Sequence, residues 1–301
     1  MKRVVSISLG SSSRNKKVNA TFFGEEFEIE RIGTDGDMNR FRQMVAELDG
    51  KVDAFGVGGT DIYVYVRERR YVLNEILHLM DNAKKTPFVD GSGLKNTLER
   101  ETVAFLQDKG IVDFSQKNVL LVCAVDRFGM AEALAKRAKS IVFGDLMFNL
   151  GLPFPVRSEK TVKVLATLLL PVVLRLPYKW LYPTGDKQNR NTPKFSKFYA
   201  DADVIAGDFL LINRFAPVDL RGKIILTNTT TEENVQELKR RGVFQLITTT
   251  PVIDGRSFGT NVMEAVLVTI LNKPPSELTP EDYFTKLKEL DWKPQVQTLN
   301  A

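Results

Sequence analysis

The stretch Asn118-Val-Leu-Leu-Val-Cys-Ala-Val125, followed by Asp126-Arg-Phe-Gly-Met-Ala131, decides the fold of this 301-residue chain. Its first part is an unbroken apolar run, typical of a central parallel strand that is buried on both faces. Its second part leads into an amphipathic helix over Phe128–Ala138. Further strands and helices alternate behind it, which predicts a doubly wound parallel sheet. The later predicted strands are 140–143, 202–206, 222–227 and 244–248, and the helices are 231–241 and 261–271.

The first third of the chain contains shorter strand-like runs and helical segments, including Asp37–Leu48 and Tyr71–Met80. A long helix over Leu94–Lys109 then ends at Gly110, a residue typical of helix C-termini. The predicted fold class is therefore α/β, with a C-terminal Rossmann-like doubly wound parallel sheet and a smaller N-terminal α/β domain. The predicted domains are 1–112 on the substrate side with the linking helix, 113–272 for the dinucleotide, and 273–301 as a tail that packs back.

Composition narrows the classes of function. The 42 basic and 37 acidic residues are interspersed, so no charged arm for nucleic acid is expected. A single cysteine and a single histidine exclude an internal disulfide and a zinc site, and no metal is predicted. The most apolar run, Val164–Leu174, is shorter than the roughly 20 residues that span a bilayer, so no integral membrane segment is expected. Without a secretory signal pattern, a cytoplasmic protein is expected.

The turn after the first strand of the second half is the predicted cofactor site. Helix N-termini offer unpaired N–H groups to a pyrophosphate, although Gly129 is the only glycine of a GxGxxG fingerprint present here. Asp145 follows the next strand, where a carboxylate binds ribose hydroxyls and favours NAD over NADP; the alternative is a strand-end cap. The predicted cofactor-binding residues are Val125, Asp126, Arg127, Phe128, Gly129, Met130, Asp145, Asn228, Thr229 and Thr250.

In the first half, the segment Thr86–Thr97 brings an acid, two glycines and a lysine together. Lys95 and Asp90 are the predicted catalytic pair, because a lysine beside a carboxylate can move a proton to and from a hydroxyl if burial lowers its pKa. The alternative is a glycine turn that Asp90 caps, with Lys95 in solvent.

Residues 146–200 form a long insertion between two predicted strands. The insertion holds the apolar run and then Tyr178–Lys187, a segment rich in polar and aromatic residues. Long loops within compact domains are usually functional. The insertion is predicted to be either a lid over the site or the contact of a homodimer.

Several motifs resemble the shikimate/quinate dehydrogenase superfamily, and in particular a bacterial group labelled quinate 5-dehydrogenase. The N-terminal motifs are IGTDGDM (32–38), VDAFGVGGTDIYV (52–64) and TPFVDGSGLKNTLER (86–100), and the later ones are TTTP (248–251) and GRSFGTNVMEAVL (255–267). The resemblance implies hydride transfer between a nicotinamide and a ring hydroxyl, with a Lys–Asp pair at the cleft, which corresponds to Lys95 and Asp90.

Three functions are compatible with these patterns. The first is an NAD(P)-dependent oxidoreductase acting on a small polyhydroxy or amino-acid-like substrate between the domains. The second is a non-redox protein that binds a nucleotide or nucleotide-sugar, which the glycine-poor turn favours. The third is a ligand-binding or scaffold protein without turnover. Fold class does not decide among them.

Overall fold

A computed structural model describes residues 1–66, 69–176, 191–250, 252–253 and 256–301. The chain forms a mixed α/β fold with two lobes, each built on a sheet of mostly parallel strands. The strands of the first lobe are β1 (Lys2–Ser8), β2 (Lys16–Phe22), β3 (Glu25–Gly33), β4 (Ala54–Gly58), β5 (Tyr63–Val66), β6 (Arg69–Val72) and β7 (Phe88–Val89). The helices are α1 (Met38–Leu48), α2 (Asn74–Leu77) and α3 (Ser92–Asp108).

The second lobe repeats this plan on a larger scale. Its strands are β8 (Asn118–Leu121), β9 (Ser140–Phe143), β10 (Val204–Ala206), β11 (Ile224–Thr227), β12 (Gln245–Thr248) and β15 (Gln295–Thr298). The short strands β13 (Val252–Ile253) and β14 (Arg256–Ser257) pair with each other in a separate two-stranded sheet. The remaining helices are α4 (Phe128–Ala135), α5 (Glu159–Val173), α6 (Ser196–Asp201), α7 (Phe209–Phe215), α8 (Glu232–Arg240), α9 (Thr260–Leu271) and α10 (Pro280–Glu289).

The two main sheets share one strand order. The first runs β2-β3-β1-β4-β7 and the second β15-β12-β11-β10-β8-β9, and the edge strands β2 and β15 are antiparallel to their neighbours. The parallel strands therefore read 2-1-3-4 and 2-1-3-4-5 when numbered along each lobe, which is the flavodoxin-like order. The structure confirms the prediction of an α/β fold with parallel sheets. It does not confirm the specific Rossmann-like arrangement.

Helix α3 belongs to both lobes. Its first turns bury Leu94 and Leu98 against the first sheet, and its later turns bury Val103 and Leu106 against the second. The apolar residues thus change face along the helix, since each half packs on a different core. One rigid helix therefore fixes the distance between the two sheets.

The chain returns to the first lobe near its C-terminal end. Helix α9 packs on β1, β4 and α3, and α10 packs on α3, before β15 pairs with β12 in the second sheet. The segment that packs on the first lobe starts with α9, which the sequence assigns to the 113–272 domain. The domain bounds themselves stay predictions.

The first two residues of one predicted helix belong to a strand in the structure. The segment Tyr71–Met80 begins within β6, which pairs with β5 in an antiparallel hairpin, and becomes helical only at α2 and a 3-10 turn, His78–Met80. Tyr63 and Tyr65 alternate with buried Val64 and Val66, as expected for a strand with one face in a core. Through Val64 and Val66, the hairpin packs against the hydrophobic core of the first lobe.

The insertion contains α5, which begins at the cap Ser158 and includes Pro171. The whole Tyr178–Lys187 segment, on which the lid and dimer predictions depend, lies outside the described residues, so both stay predictions. In the described part of the chain, no helix combines the length and the apolarity needed to cross a membrane.

We predict that Gly129→Ala destabilises the fold. A Cβ at residue 129 would lie 2.2 Å from the Asn96 carbonyl oxygen, because α4 approaches α3 at this glycine. Overpacking of this kind costs about 1–3 kcal/mol of unfolding free energy, measurable by urea unfolding. Lys136→Ala, at the exposed end of the same helix, should change stability little. Equal stability of the two variants would contradict the close approach.

Candidate functional site

The candidate site is a narrow cleft between the lobes, where loops beyond the carboxyl ends of both sheets meet. In parallel α/β sheets, ligands bind beyond these ends, next to the point where the strand order reverses. The reversal lies between β1 and β4 in the first sheet and between β8 and β10 in the second. The cleft is lined by Tyr63, Tyr65, Ser92, Lys95, Asn96, Asp126, Arg127 and Phe128.

The hairpin supplies the aromatic wall of the cleft. Because Val64 and Val66 point into the core, Tyr63 and Tyr65 face the other way and are half-buried. The Arg70 guanidinium lies over the Tyr63 ring, 4.7 Å from its centroid. Burial raises the pKa of both phenols, so they stay protonated and can donate hydrogen bonds at neutral pH.

Lys95 lies at the centre of the cleft. It belongs to the first turns of α3, and its Nζ contacts Asp61 Oδ1 at 2.9 Å and Asp126 Oδ1 at 2.7 Å. Asp61 follows β4 in the first lobe, and Asp126 follows β8 in the second. Lys95 is 7% exposed, so this bridge between loops of different lobes is shielded from water.

The environment separates the pKa values of these groups. Burial, reinforced by Asp126, raises the pKa of Asp61 to about 7 despite Lys95. For Asp126, burial acts in the same direction, but Lys95 and Arg127 outweigh it and lower its pKa to about 2. Burial also acts against the charge on Lys95, but the two carboxylates outweigh it and raise the Lys95 pKa above its usual value. Lys95 therefore keeps its proton at neutral pH.

Arg127 forms a second buried centre beside the first. Its guanidinium pairs with Glu99 of α3 and, through Nη2, with Asp208 Oδ2 at 3.2 Å. Burial raises the pKa of Glu99 in spite of this partner and Lys95. Among the described residues, Glu99 Oε2 and Arg127 Nε have no hydrogen-bond partner, although both atoms are buried. This network again joins α3 to loops of the second lobe.

Asp90 does not pair with Lys95. Its Oδ2 accepts from the N–H groups of Ile62 and Tyr63 at 2.6 and 2.7 Å, and its Oδ1 accepts from the backbone and hydroxyl of Ser92. Asp90 thus joins the start of the hairpin to Ser92 at the start of α3, whose N-cap is Gly91, and Lys95 is buried rather than in solvent. The partners of Lys95 are Asp61 and Asp126.

The predicted cofactor turn is closed by the chain itself. The Asp145 carboxylate accepts from the N–H groups of Ala124 and Val125 at 2.9–3.0 Å, where a pyrophosphate would need them. Burial raises its pKa to about 6, although these hydrogen bonds oppose the rise. Phe128 is buried at the start of α4, and Gly129 faces Asn96 rather than a ligand. The strand-end alternative for Asp145 therefore describes the structure.

The other predicted cofactor residues hold loops together. Thr250 Oγ1 donates to the Asn228 carbonyl oxygen at 2.7 Å, and Asn228 Nδ2 lies 3.5 Å from Asp208 Oδ2. Thr229 lies in the same loop, half-buried, and Met130 is buried in the core of the second lobe. Four of the predicted residues line the cleft, namely Lys95, Asp126, Arg127 and Phe128. Met130, Asp145, Thr229 and Thr250 do not line it.

Sequence reasoning missed three groups at the site. The alternation of Tyr63 and Tyr65 with valines was a usable signal for one exposed strand face. Glu99 stands four residues after Lys95 on α3, a spacing that usually indicates a solvated helix surface. Nothing in the local pattern indicates that this face is buried by a second lobe. No cluster of His, Cys, Asp and Glu in the described ranges is suited to hold a metal ion.

Comparison with protein families gives one match over most of the chain. A family described as "Domain of unknown function (DUF8754)" matches residues 93–299. The chain belongs to this family. A second model, "Domain of unknown function (DUF8753)", matches residues 3–90. The two matches meet at the start of α3. A comparison with curated proteins finds no match.

Similar solved structures include sugar-binding proteins. A galactofuranose binding protein shares 10% identity, covering 97% of this chain and 99% of its own, with a TM-score of 0.37. GanP, a glucose-galactose binding protein from Geobacillus stearothermophilus, shares 9% identity, covering 99% and 97%, with a TM-score of 0.38. A periplasmic solute binding protein from Actinobacillus succinogenes with bound D-allose shares 10% identity, covering 99% and 98%, with a TM-score of 0.37.

These findings correct the expectations drawn from the resemblance. The family has no assigned activity, and the structures named above are sugar-binding proteins, not shikimate/quinate dehydrogenases. The predictions of a dehydrogenase, an oxidoreductase activity and NAD or NADP as its cofactor are wrong. The physical reason lies in the turn after β8, where the Asp145 carboxylate accepts hydrogen bonds from the backbone amides that a cofactor pyrophosphate would need.

We predict that Lys95→Met destabilises the protein by about 3 kcal/mol at pH 8, because two half-buried carboxylates lose their shared, buried cation. The loss should be smaller at pH 5.5, where Asp61 can take up a proton. Urea unfolding at both pH values measures it. The control Lys293→Met removes an exposed pair with Asp291 and should cost less than about 1 kcal/mol. A loss equal to the control's would contradict the buried bridge.

A second stability prediction concerns Glu264, which is buried beneath the start of α3 and accepts from the Tyr283 hydroxyl at 2.7 Å. Burial raises its pKa from 4.5 to about 7. Its contribution to stability is present below its unfolded pKa and is lost as the pH rises through about 7. Glu264→Gln should therefore reduce the fall in stability between pH 5 and 8, measured by urea midpoints. Glu289→Gln, an exposed control, should keep the full fall.

Proposed function

We propose that the chain is a ligand-binding protein without turnover, which holds a small polyhydroxylated molecule in the cleft between its lobes. The observation that carries the proposal is the Asp61–Lys95–Asp126 bridge, which lies beside the Tyr63–Tyr65 wall. Small-molecule sites combine an apolar or aromatic surface with a few convergent polar groups, and this cleft has both.

The polar groups of the cleft match hydroxyls better than anions. Lys95 and Arg127 already pair with carboxylates, so a phosphate or carboxylate ligand would have to compete with Asp61, Asp126 and Glu99. A hydroxyl both donates and accepts, and therefore suits a surface that offers carboxylate acceptors next to the amide of Asn96 and the tyrosine hydroxyls. The aromatic rings can pack against the C–H face of a small ring.

Proton-transfer chemistry by the predicted pair is not supported. A general base works best when its pKa lies near the working pH, whereas the carboxylates around Lys95 raise its pKa. Asp90 uses both oxygens to hold backbone and hydroxyl donors. The sugar specificity of the similar solved structures points in the same direction as the proposal. Homodimer formation and cytoplasmic localisation stay predictions.

Isothermal titration with a panel of pentoses and hexoses tests the proposal, with NAD as the negative comparison. At least one polyol should bind, and NAD should neither bind nor raise the Tm at about 1 mM. Tyr65→Ala should weaken binding about ten-fold by removing the ring, whereas Tyr65→Phe should retain most of the affinity.

The control for the aromatic variants is Phe154→Ala, which removes an exposed ring outside the cleft. It should leave the affinity unchanged. Binding that is equally strong in Tyr65→Ala and in the control would place the ligand elsewhere. The absence of binding by every polyol in the panel would refute the proposed ligand class.

A further inference from the structure

Helix α5 is apolar on its outer face as well as on its inner one. The inner face buries one side chain per turn in the cores of the two lobes, namely Val162, Ala166 and Leu170. The outer face presents Val164, Leu168 and Val172, which follow one another at a spacing of four residues and are 57%, 66% and 64% exposed. Surface helices of globular proteins normally place polar residues on the side that faces solvent. An exposed apolar row of this length therefore indicates a surface that binds something.

The loop before α5 extends this apolar surface. Leu150 of the loop and Leu169 of the helix line the same apolar groove, and both side chains are exposed. Leu152 and Phe154, in the same loop, are exposed as well. The apolar side chains thus come from two neighbouring segments. The outer row of α5 together with Leu150 and Leu169 is called the apolar face below.

Basic residues flank the apolar face at both ends of α5. Arg157 and Lys160 lie at its N-terminal end, Arg175 lies just beyond its C-terminal end, and all three are exposed. In the part of the chain that the structure describes, none of the three forms a salt bridge. Lys163, by contrast, pairs with Glu159, the only acidic residue of the helix. The unpaired charge around the apolar face is therefore positive.

We propose that the apolar face docks on an anionic lipid surface, with Leu168 among the acyl chains and Arg157, Lys160 and Arg175 at the phosphate groups. Helices that bind at membrane surfaces combine an apolar face with Lys and Arg beside it, and they bind anionic lipids most strongly. Long basic side chains can lay their stems on apolar surface while their charges reach the headgroups. With 15 residues, α5 lies along the surface instead of crossing it. The proposal is independent of the ligand of the cleft.

A second copy of the chain fits this face less well. In a two-fold contact the same surface meets itself, so the unpaired cations of both copies would gather around one apolar contact. Like charges placed together at an interface weaken it, whereas the phosphates of a membrane neutralise them. The charge at the two ends of α5 therefore favours lipid over self-association.

Cosedimentation with lipid vesicles tests the proposal. Vesicles that mix phosphatidylglycerol with phosphatidylcholine should bind the protein at least about ten-fold more tightly than vesicles of phosphatidylcholine alone, because each basic residue near an anionic surface strengthens binding. Raising NaCl to about 0.5 M should reduce this difference, since salt screens exposed charges. The variant in which Arg157, Lys160 and Arg175 are all replaced by Gln should bind the two kinds of vesicle about equally.

Leu168→Glu should weaken binding to the anionic vesicles at least about ten-fold, because it places a carboxylate within the apolar row. Val172→Glu should have the same effect, and it serves if circular dichroism shows that Leu168→Glu does not fold. The matched control is Val218→Glu, which adds the same charge at a side chain that is 77% exposed in the loop between α7 and β11. Binding by the control should stay within about two-fold of the unmodified protein.

Three results would overturn the proposal. The first is no binding to the anionic vesicles, and the second is equal binding by Leu168→Glu and Val218→Glu, which would reduce the attraction to the net charge of the protein. The third comes from light scattering without lipid: a dimer that Leu168→Glu converts to a monomer would assign the apolar face to a second copy. A monomer that binds anionic vesicles and loses this binding in Leu168→Glu supports the proposal.

Discussion

The buried contact of Lys95 with Asp61 and Asp126 organises the region between the lobes. A lysine within a protein interior is stable as a cation only when carboxylates surround it, and here they come from loops of two separate sheets. Any displacement of one loop would leave a charge without its partner. The contact therefore holds the carboxyl ends of both sheets at one distance, and the cleft exists because that distance leaves room between the tyrosines and Arg127.

The turn after β8 lies where an anion site is expected, but its amides already have an acceptor. The backbone N–H groups of Ala124 and Val125 donate to the Asp145 carboxylate of the same chain. An internal carboxylate loses little entropy on binding, so an external phosphate would have to displace it at a high cost. Beside it lies an apolar groove formed largely by α5, lined for example by Leu146, Leu165 and Leu169.

Much of the fold could be predicted because periodicity is a local property. The four strand-like segments that follow the apolar run at 118–125 match β9, β10, β11 and β12 to within two residues at each end, since buried parallel strands have few polar residues. The run itself extends four residues beyond the end of β8. The first lobe was harder: the edge strand β2 is mostly polar, and the helix predicted over Tyr71–Met80 includes the last two residues of β6. The site was predicted in part. Lys95, Asp126 and Arg127 stood out as residues next to strand ends, but their partners depend on which lobe faces α3, and local sequence carries no information about that.

Among the elements that the structure describes, the chain passes between the two main sheets through α3, before α9 and before β15. This has a consequence for biosynthesis. The sheet made first receives the helices that cover one of its faces only when residues 260–289 have left the ribosome, so Val4, Phe27 and Ala54 stay without their final neighbours until those residues have been synthesised. Such long-range closure slows folding and exposes apolar surface in the meantime. The nascent protein should consequently depend on chaperones more than its size alone suggests.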